Sequence, residues 1–206
     1  MAASERLSPI YRCTRALLRL YLGGLCRVRV ERCAIPPTPF ILSMNHRSAL
    51  DMFLYVAILP RRIKFLAKRE LFAYPVLGPI LRRWCIPVDR GRYDRDALVA
   101  AARALEAGYV LSVFPEGTRR AHLAYGHGGA VLLASWTGMP VVPGGIVGDY
   151  RPFGRITVRF GEPLTFPRRM SGAERREATD RLMETIRALV RDAEAARPRR
   201  RAEATP

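Results

Sequence analysis

An α/β domain built on a partly parallel, mixed sheet flanked by helices, with an amphipathic helix at the N-terminus and a long helix at the C-terminus, is the fold class this sequence predicts. Three observations carry that expectation. Short β-branched runs alternate with stretches of helical periodicity from Pro39 onward. Glycine or proline closes several of the helical stretches. Ser171 and Glu174 give a capping-box signature ahead of a long amphipathic run.

Taken in order, the first thirty residues read as a basic amphipathic helix. On a helical wheel Ile10, Cys13, Leu17, Tyr21 and Val28 share one face, Leu20, Gly24 and Leu25 lie close by, and Arg12, Arg15 and Arg19 cluster opposite. Such a helix can lie in the headgroup region of a membrane or dock its apolar stripe on the domain's own core. Both uses need the same pattern. "PFILSM" (39–44) predicts a buried strand, "SALDMFLYVAIL" (48–59) a helix stopped by Pro60, "RIKFLA" (62–67) a second strand and "CIPV" (85–88) a short third one. "RDALVAAARALEAG" (95–108) is a helix closed by Gly108, "YVLSVF" (109–114) a strong strand, "GAVLLASWTG" (129–138) a helix closed by Gly138, and "PVVPGGIV" (140–147) a further strand. "RITVRFG" (155–161) and the long helix over 171–195 complete the alternation. The expected organisation is a membrane-surface segment over 1–33, one domain over 34–196 and a disordered basic tail over 197–206.

The chain has 206 residues and a formal net charge of +17, and Lys64 and Lys68 are its only lysines. An arginine-rich balance of this kind suits anionic partners such as membrane lipids or phosphate-bearing substrates, although a genome rich in arginine codons explains it as well. A nonenzymatic basic protein binding nucleic acid or membrane is the less favoured alternative that this charge keeps in view. Nucleic acid is not an expected partner, because no helix-turn-helix, RNA-recognition or zinc-finger pattern is visible. Cys13, Cys26, Cys33 and Cys85 lack zinc-ligand spacing, and no metal is expected. No apolar stretch approaches the roughly 20 residues a spanning helix needs.

Two segments are placed where chemistry sits in an open sheet, at the passage from strand to helix. "MNHRSALDMF" (44–53) sets His46 five residues ahead of Asp51, and Ser48 is a plausible helix N-cap with Asp51 three residues on. Asp51 thus has either a structural or a proton-handling role, and spacing alone does not choose between them. In "VFPEGTRR" (113–120), Gly117 lets the backbone approach a ligand, while Thr118 and Arg119 offer a hydroxyl and a fork of donors suited to phosphate. An ordinary turn with a surface Glu–Arg pair accounts for the same residues.

Together the two segments resemble the blocks of the glycerolipid acyltransferase family, the group that includes 1-acylglycerol-3-phosphate acyltransferases. "AKRELFAYPVLGPIL" and "IPVDR" resemble its second block, with Arg90 at the position of a substrate-contacting arginine, and "GMPVVPGGI" resembles the fourth. Roughly residues 38 to 148 are covered, in order. One departure stands out: the family usually has Phe-Lys-x-Gly-Ala after the third block, whereas this chain has "GHGGA", with Gly126 and His127 replacing an aromatic and a lysine.

The resemblance implies an acyltransferase domain that moves a fatty acyl group from a thioester donor to the free hydroxyl of lysophosphatidic acid in phospholipid biosynthesis. Direct transfer without an acyl-enzyme is implied. His46 would be the general base, since an imidazole of ordinary pKa near 6.5 is mostly neutral at pH 7, and Asp51 would orient it. Arg90, Glu116, Gly117, Thr118 and Arg119 would form the substrate-binding set. No cofactor is expected; the donor would be acyl-CoA or acyl-acyl-carrier-protein. The expected partners are that donor (acyl carrier protein among them), a lysolipid acceptor and an anionic membrane surface, on the cytoplasmic side of the cell membrane. Because of the departure after the third block, a lysophospholipid, a lyso-aminolipid or glycerol 3-phosphate stays open as the acceptor.

Overall fold

The computed structural model describes residues 9–31, 35–89, 94–115 and 128–197. Among these residues seven strands form a single sheet in the order β1-β7-β6-β2-β5-β3-β4. The strands are β1 (Cys26–Glu31), β2 (Ile41–Met44), β3 (Ile63–Lys68), β4 (Cys85–Val88), β5 (Val110–Val113), β6 (Val141–Gly148) and β7 (Gly154–Phe160). All neighbours pair in parallel except β6 and β7, which form an antiparallel hairpin. The expected partly parallel α/β architecture is therefore the observed one.

Helices cover both faces. On one side lie α1 (Pro9–Leu25), α2 (Leu50–Ile58) and α3 (Leu77–Trp84), packed through Leu22, Leu54, Tyr55 and Leu81 onto Leu42, Met44, Phe65 and Ile146. On the other lie α4 (Arg95–Glu106), α5 (Gly129–Thr137) and α6 (Gly172–Ala195), whose Leu105, Val131, Leu182 and Ile186 meet Ile41, Leu111 and Val141. Because β2 and β5 are sandwiched by both layers, they are fully buried and, apart from Ser43 and Ser112, apolar. The Ser171–Glu174 capping box that starts α6 is formed, Gly108 and Gly138 take positive φ after α4 and α5, and Asp94 caps α4 by accepting from Ala97 N.

Three features differ from the expectation. The N-terminal helix ends at Leu25, and Val28 belongs instead to β1, which pairs in parallel with β7 and carries the sheet back before residue 34. At the end of this pair Arg159 Nε donates to Glu31 at 2.6 Å, between residues in register. The second difference is which face of α1 turns inward. Tyr11 and Leu22 are buried and Leu18 packs against the core beside them, whereas Leu17, Leu20 and Tyr21 are 67%, 75% and 58% exposed. Arg15 and Arg19, assigned to the polar side of the wheel, donate through Nε to the carbonyl of Ala57 at 3.2 and 2.9 Å, where α2 runs out of intrahelical donors. The domain thus takes the arginine side, and the leucine stripe is left outward.

The third difference is a 3-10 turn over Arg69–Ala73 followed by α3, where the sequence suggested no helix. Pro79 falls in the first turn of α3, where a missing N–H costs nothing.

Candidate active site

The carboxyl ends of β2, β5 and β6 are neighbours, and the residues that follow them meet. β2 delivers Asn45 and His46. Asn45 is buried and clamps the strand end, donating through Nδ2 to Ile146 O at 2.9 Å and accepting from Ile146 N at 2.7 Å. This pair extends the ladder between β2 and β6 by a side chain and fixes the backbone from which His46 projects.

His46 is nearly buried, and its Nδ1 lies 3.0 Å from Asp51 Oδ2. A carboxylate only accepts, so Nδ1 carries the hydrogen, and Nε2 is the nitrogen with the basic lone pair. Asp51 is wholly buried in the first turn of α2. Its Oδ2 also accepts from the backbone N–H groups of Arg47 and Ser48, both at 2.8 Å, and its Oδ1 accepts from the Tyr150 hydroxyl at 2.8 Å. Ser48 is not the N-cap expected of it: that position falls to Ala49, which makes no side-chain cap bond, and Ser48 Oγ instead accepts from Leu50 N at 3.2 Å in the turn leading into α2. Capping and dyad are therefore not alternatives: the same carboxylate ties down the loop before α2 and holds the imidazole. Four donors and the first turn of a helix offset the cost of burying its charge.

From β5 comes Phe114, whose ring stacks on His46 with centroids 3.9 Å apart and planes at 22°. The segment "VFPEGTRR" therefore begins against the imidazole. Pro115 is its last described residue; Glu116, Gly117, Thr118 and Arg119 lie outside the described residues, as do Arg90, Gly126 and His127. From β6 comes Tyr150, which the sequence analysis did not single out. Gly148, at φ +109° with the Arg155 carbonyl where a Cβ would stand, ends the strand two residues before Tyr150, whose hydroxyl reaches Asp51. Burial and the adjacent Asp51 charge push the Tyr150 hydroxyl well above the ordinary phenol range, so it stays a donor. The available signal was position alone, two residues past the end of a strand that neighbours the His46 strand.

A separate cleft of about 230 Å³, lined by Arg69, Phe72, Arg82, Cys85 and Pro87, sits by β3 and β4. β4 is three places from β2, about 14 Å across the sheet, so this cleft does not contain the dyad. Arg69 there pairs with Asp89 at 2.7 Å and Asp94 at 3.2 Å. Among the described residues no cluster of side chains has the composition of a metal site.

The sheet thus holds a histidine–aspartate pair at the carboxyl ends of its parallel strands. The acyltransferase family model matches residues 27–147. The chain is 30% identical to the 1-acyl-sn-glycerol-3-phosphate acyltransferase of Bacillus subtilis over 74% of this chain and 80% of that protein. It is 35% identical to the mouse 1-acyl-sn-glycerol-3-phosphate acyltransferase alpha over 62% of this chain, and spans about half of that relative, 48%. The crystal structure of the 1-acyl-sn-glycerophosphate (LPA) acyltransferase PlsC from Thermotoga maritima superposes with a TM-score of 0.73, covering 93% of this chain and 82% of that one; at 24% identity this is a likeness of fold. The chain belongs to the acyltransferase family, and it is an enzyme of that class.

Proposed function

We propose that the protein moves a fatty acyl group from an acyl thioester, acyl-CoA or acyl-acyl-carrier-protein, to the free hydroxyl of 1-acylglycerol 3-phosphate. The observation that carries this reading is the buried dyad, with His46 Nδ1 3.0 Å from an Asp51 carboxylate held by three further donors. With Nδ1 committed, His46 Nε2 takes the acceptor's proton as its oxygen attacks the thioester carbonyl. The C–S bond then breaks, and the proton passes from the imidazolium to the leaving thiolate. Asp51 stabilises the imidazolium in between and keeps the ring in one tautomer. Ser48, whose hydroxyl accepts from Leu50 N before α2, is not needed as a nucleophile, in keeping with direct transfer. Arg90, Glu116, Gly117, Thr118 and Arg119 are the proposed substrate-binding residues. The activity for which these relatives are named supports lysophosphatidic acid as acceptor. The Gly126–His127 departure keeps a lysophospholipid, a lyso-aminolipid or glycerol 3-phosphate as the alternative.

The test is an assay of the purified protein with both donors and a panel of lysolipids, following thiol release and product mass. Release that depends on 1-acylglycerol 3-phosphate, with phosphatidic acid as product, is the expected result. Turnover only with another acceptor replaces the substrate, and no acceptor-dependent release with either donor removes the reading.

We further propose that the protein works peripherally on the cytoplasmic face of the cell membrane. No helix among the described residues is long and apolar enough to cross a bilayer. Leu17, Leu20 and Tyr21 face outward on α1, Val76 and Ile80 are 77% and 54% exposed at α3 in the same layer, and Tyr11 stacks near Trp84, with centroids 5.1 Å apart, joining the two helices. Leucines inserted among acyl chains, beside a surface of net positive charge, suit an anionic bilayer. A Leu17→Glu, Leu20→Glu double variant should bind anionic vesicles about tenfold or more less tightly, each leucine being worth more than a kcal/mol on full burial. Co-sedimentation measures this, and unchanged binding would reassign the stripe.

A further inference from the structure

The dyad has a member that the acyl-transfer chemistry does not require. We propose that Tyr150 is a positioning residue which, by donating to the Asp51 oxygen that His46 does not use, sets how strongly Asp51 holds a proton on His46. The inference rests on the proton-handling role proposed above for the dyad.

The geometry is specific. Asp51 Oδ2 is shared by His46 Nδ1, Arg47 N and Ser48 N, while Oδ1 accepts from the Tyr150 hydroxyl at 2.8 Å. The two backbone donors are part of the α2 start and come with any capping carboxylate. Tyr150 comes from 99 positions away, at the far end of β6, and local folding does not demand it. Packing does not demand its hydroxyl either, since phenylalanine would fill the same volume. A hydroxyl taken out of water repays its desolvation only by a bond made inside, and here that bond goes to an ionised, fully buried carboxylate.

Two consequences follow. The bond fixes the carboxylate rotamer, so that Oδ2 faces the imidazole. It also draws charge toward Oδ1, which makes Asp51 a weaker stabiliser of the imidazolium than an undonated carboxylate would be. Tyr150 thereby moderates the basicity of His46. Among the described residues, the groups near this cluster include the Tyr55 hydroxyl and the Cys26 thiol around Tyr150, and the half-exposed Arg47, whose guanidinium lies 3.9 Å from Asp149.

The experiment compares the full chain with Tyr150→Phe, which keeps the ring and removes the donor, and with Tyr150→Leu, which removes both. The imidazole resonances of His46 are assigned by their loss in His46→Ala and followed by NMR against pH. Their midpoint is expected to rise by roughly half a pH unit or more in both variants. The acid limb of the kcat/KM profile should move in the same direction. Superimposable titrations, or an acid limb that stays in place in both variants, would overturn the proposal. If His46→Ala keeps its turnover, the acyl-transfer reading of the dyad falls, whereas the titration still decides what Tyr150 does.

Discussion

Turnover in His46→Ala is expected to fall by about 100-fold or more, with the fold kept. An alcohol is too weakly acidic to attack a thioester unless its proton leaves as the new bond forms, and His46 Nε2 is the base the site offers for it. The fold survives because the substitution removes only one of the donors to Asp51. Arg47 N, Ser48 N and the Tyr150 hydroxyl remain, so the buried carboxylate stays paired. Losing the stack on Phe114 and one charge-assisted bond should cost about 2 kcal/mol. Thiol release from an acyl thioester, read beside a thermal melt, checks both halves. A folded variant that turns over at near the wild-type rate would mean that the proton goes elsewhere, and the mechanism would have to be abandoned.

The sheet was readable from sequence wherever a strand was buried on both faces or a helix carried its own stop. β2 and β5 are short apolar runs bounded by prolines or turns, and α4, α5 and α6 announce themselves by Gly108, Gly138 and the Ser171 cap. β1 was hidden because six residues directly after a helix can be drawn onto its wheel. The alternation of Arg27, Val28, Arg29 and Val30 was nevertheless present, and in the structure the arginines are exposed and the valines half-buried. The inward face of α1 was not readable at all. The helix is apolar on two sides, and the choice between them is made by α2, whose terminal carbonyl at Ala57 draws Arg15 and Arg19 to it. For the site, His46 and Asp51 were legible because both sit in one local segment, and the structure brings them within hydrogen-bond distance. Tyr150 was not, since its partner is set by strand order: β6 lies beside β2 only once the sheet is assembled.

Asp51→Asn separates the two duties of that carboxylate, and its expected result is a folded protein whose turnover is also lowered by about 100-fold or more. Asparagine has the same shape. Its carbonyl oxygen can take the three donors now on Oδ2, and its amide can face the Tyr150 hydroxyl, which has lone pairs to accept with. The start of α2 should therefore hold, at a cost of about 1 to 2 kcal/mol. The negative charge is what disappears, and with it the stabilisation of the imidazolium that forms when His46 takes a proton. Asp51→Ala behaves differently, because it leaves the Arg47 and Ser48 amides and the Tyr150 hydroxyl without their acceptor. It should lose about 3 kcal/mol or more of stability as well as activity. Melting curves for both variants, set against their rates of thiol release, distinguish the cap from the charge. An Asp51→Asn protein within a few fold of wild-type turnover would show that this carboxylate only shapes the loop, and that the geometry at His46 is structural.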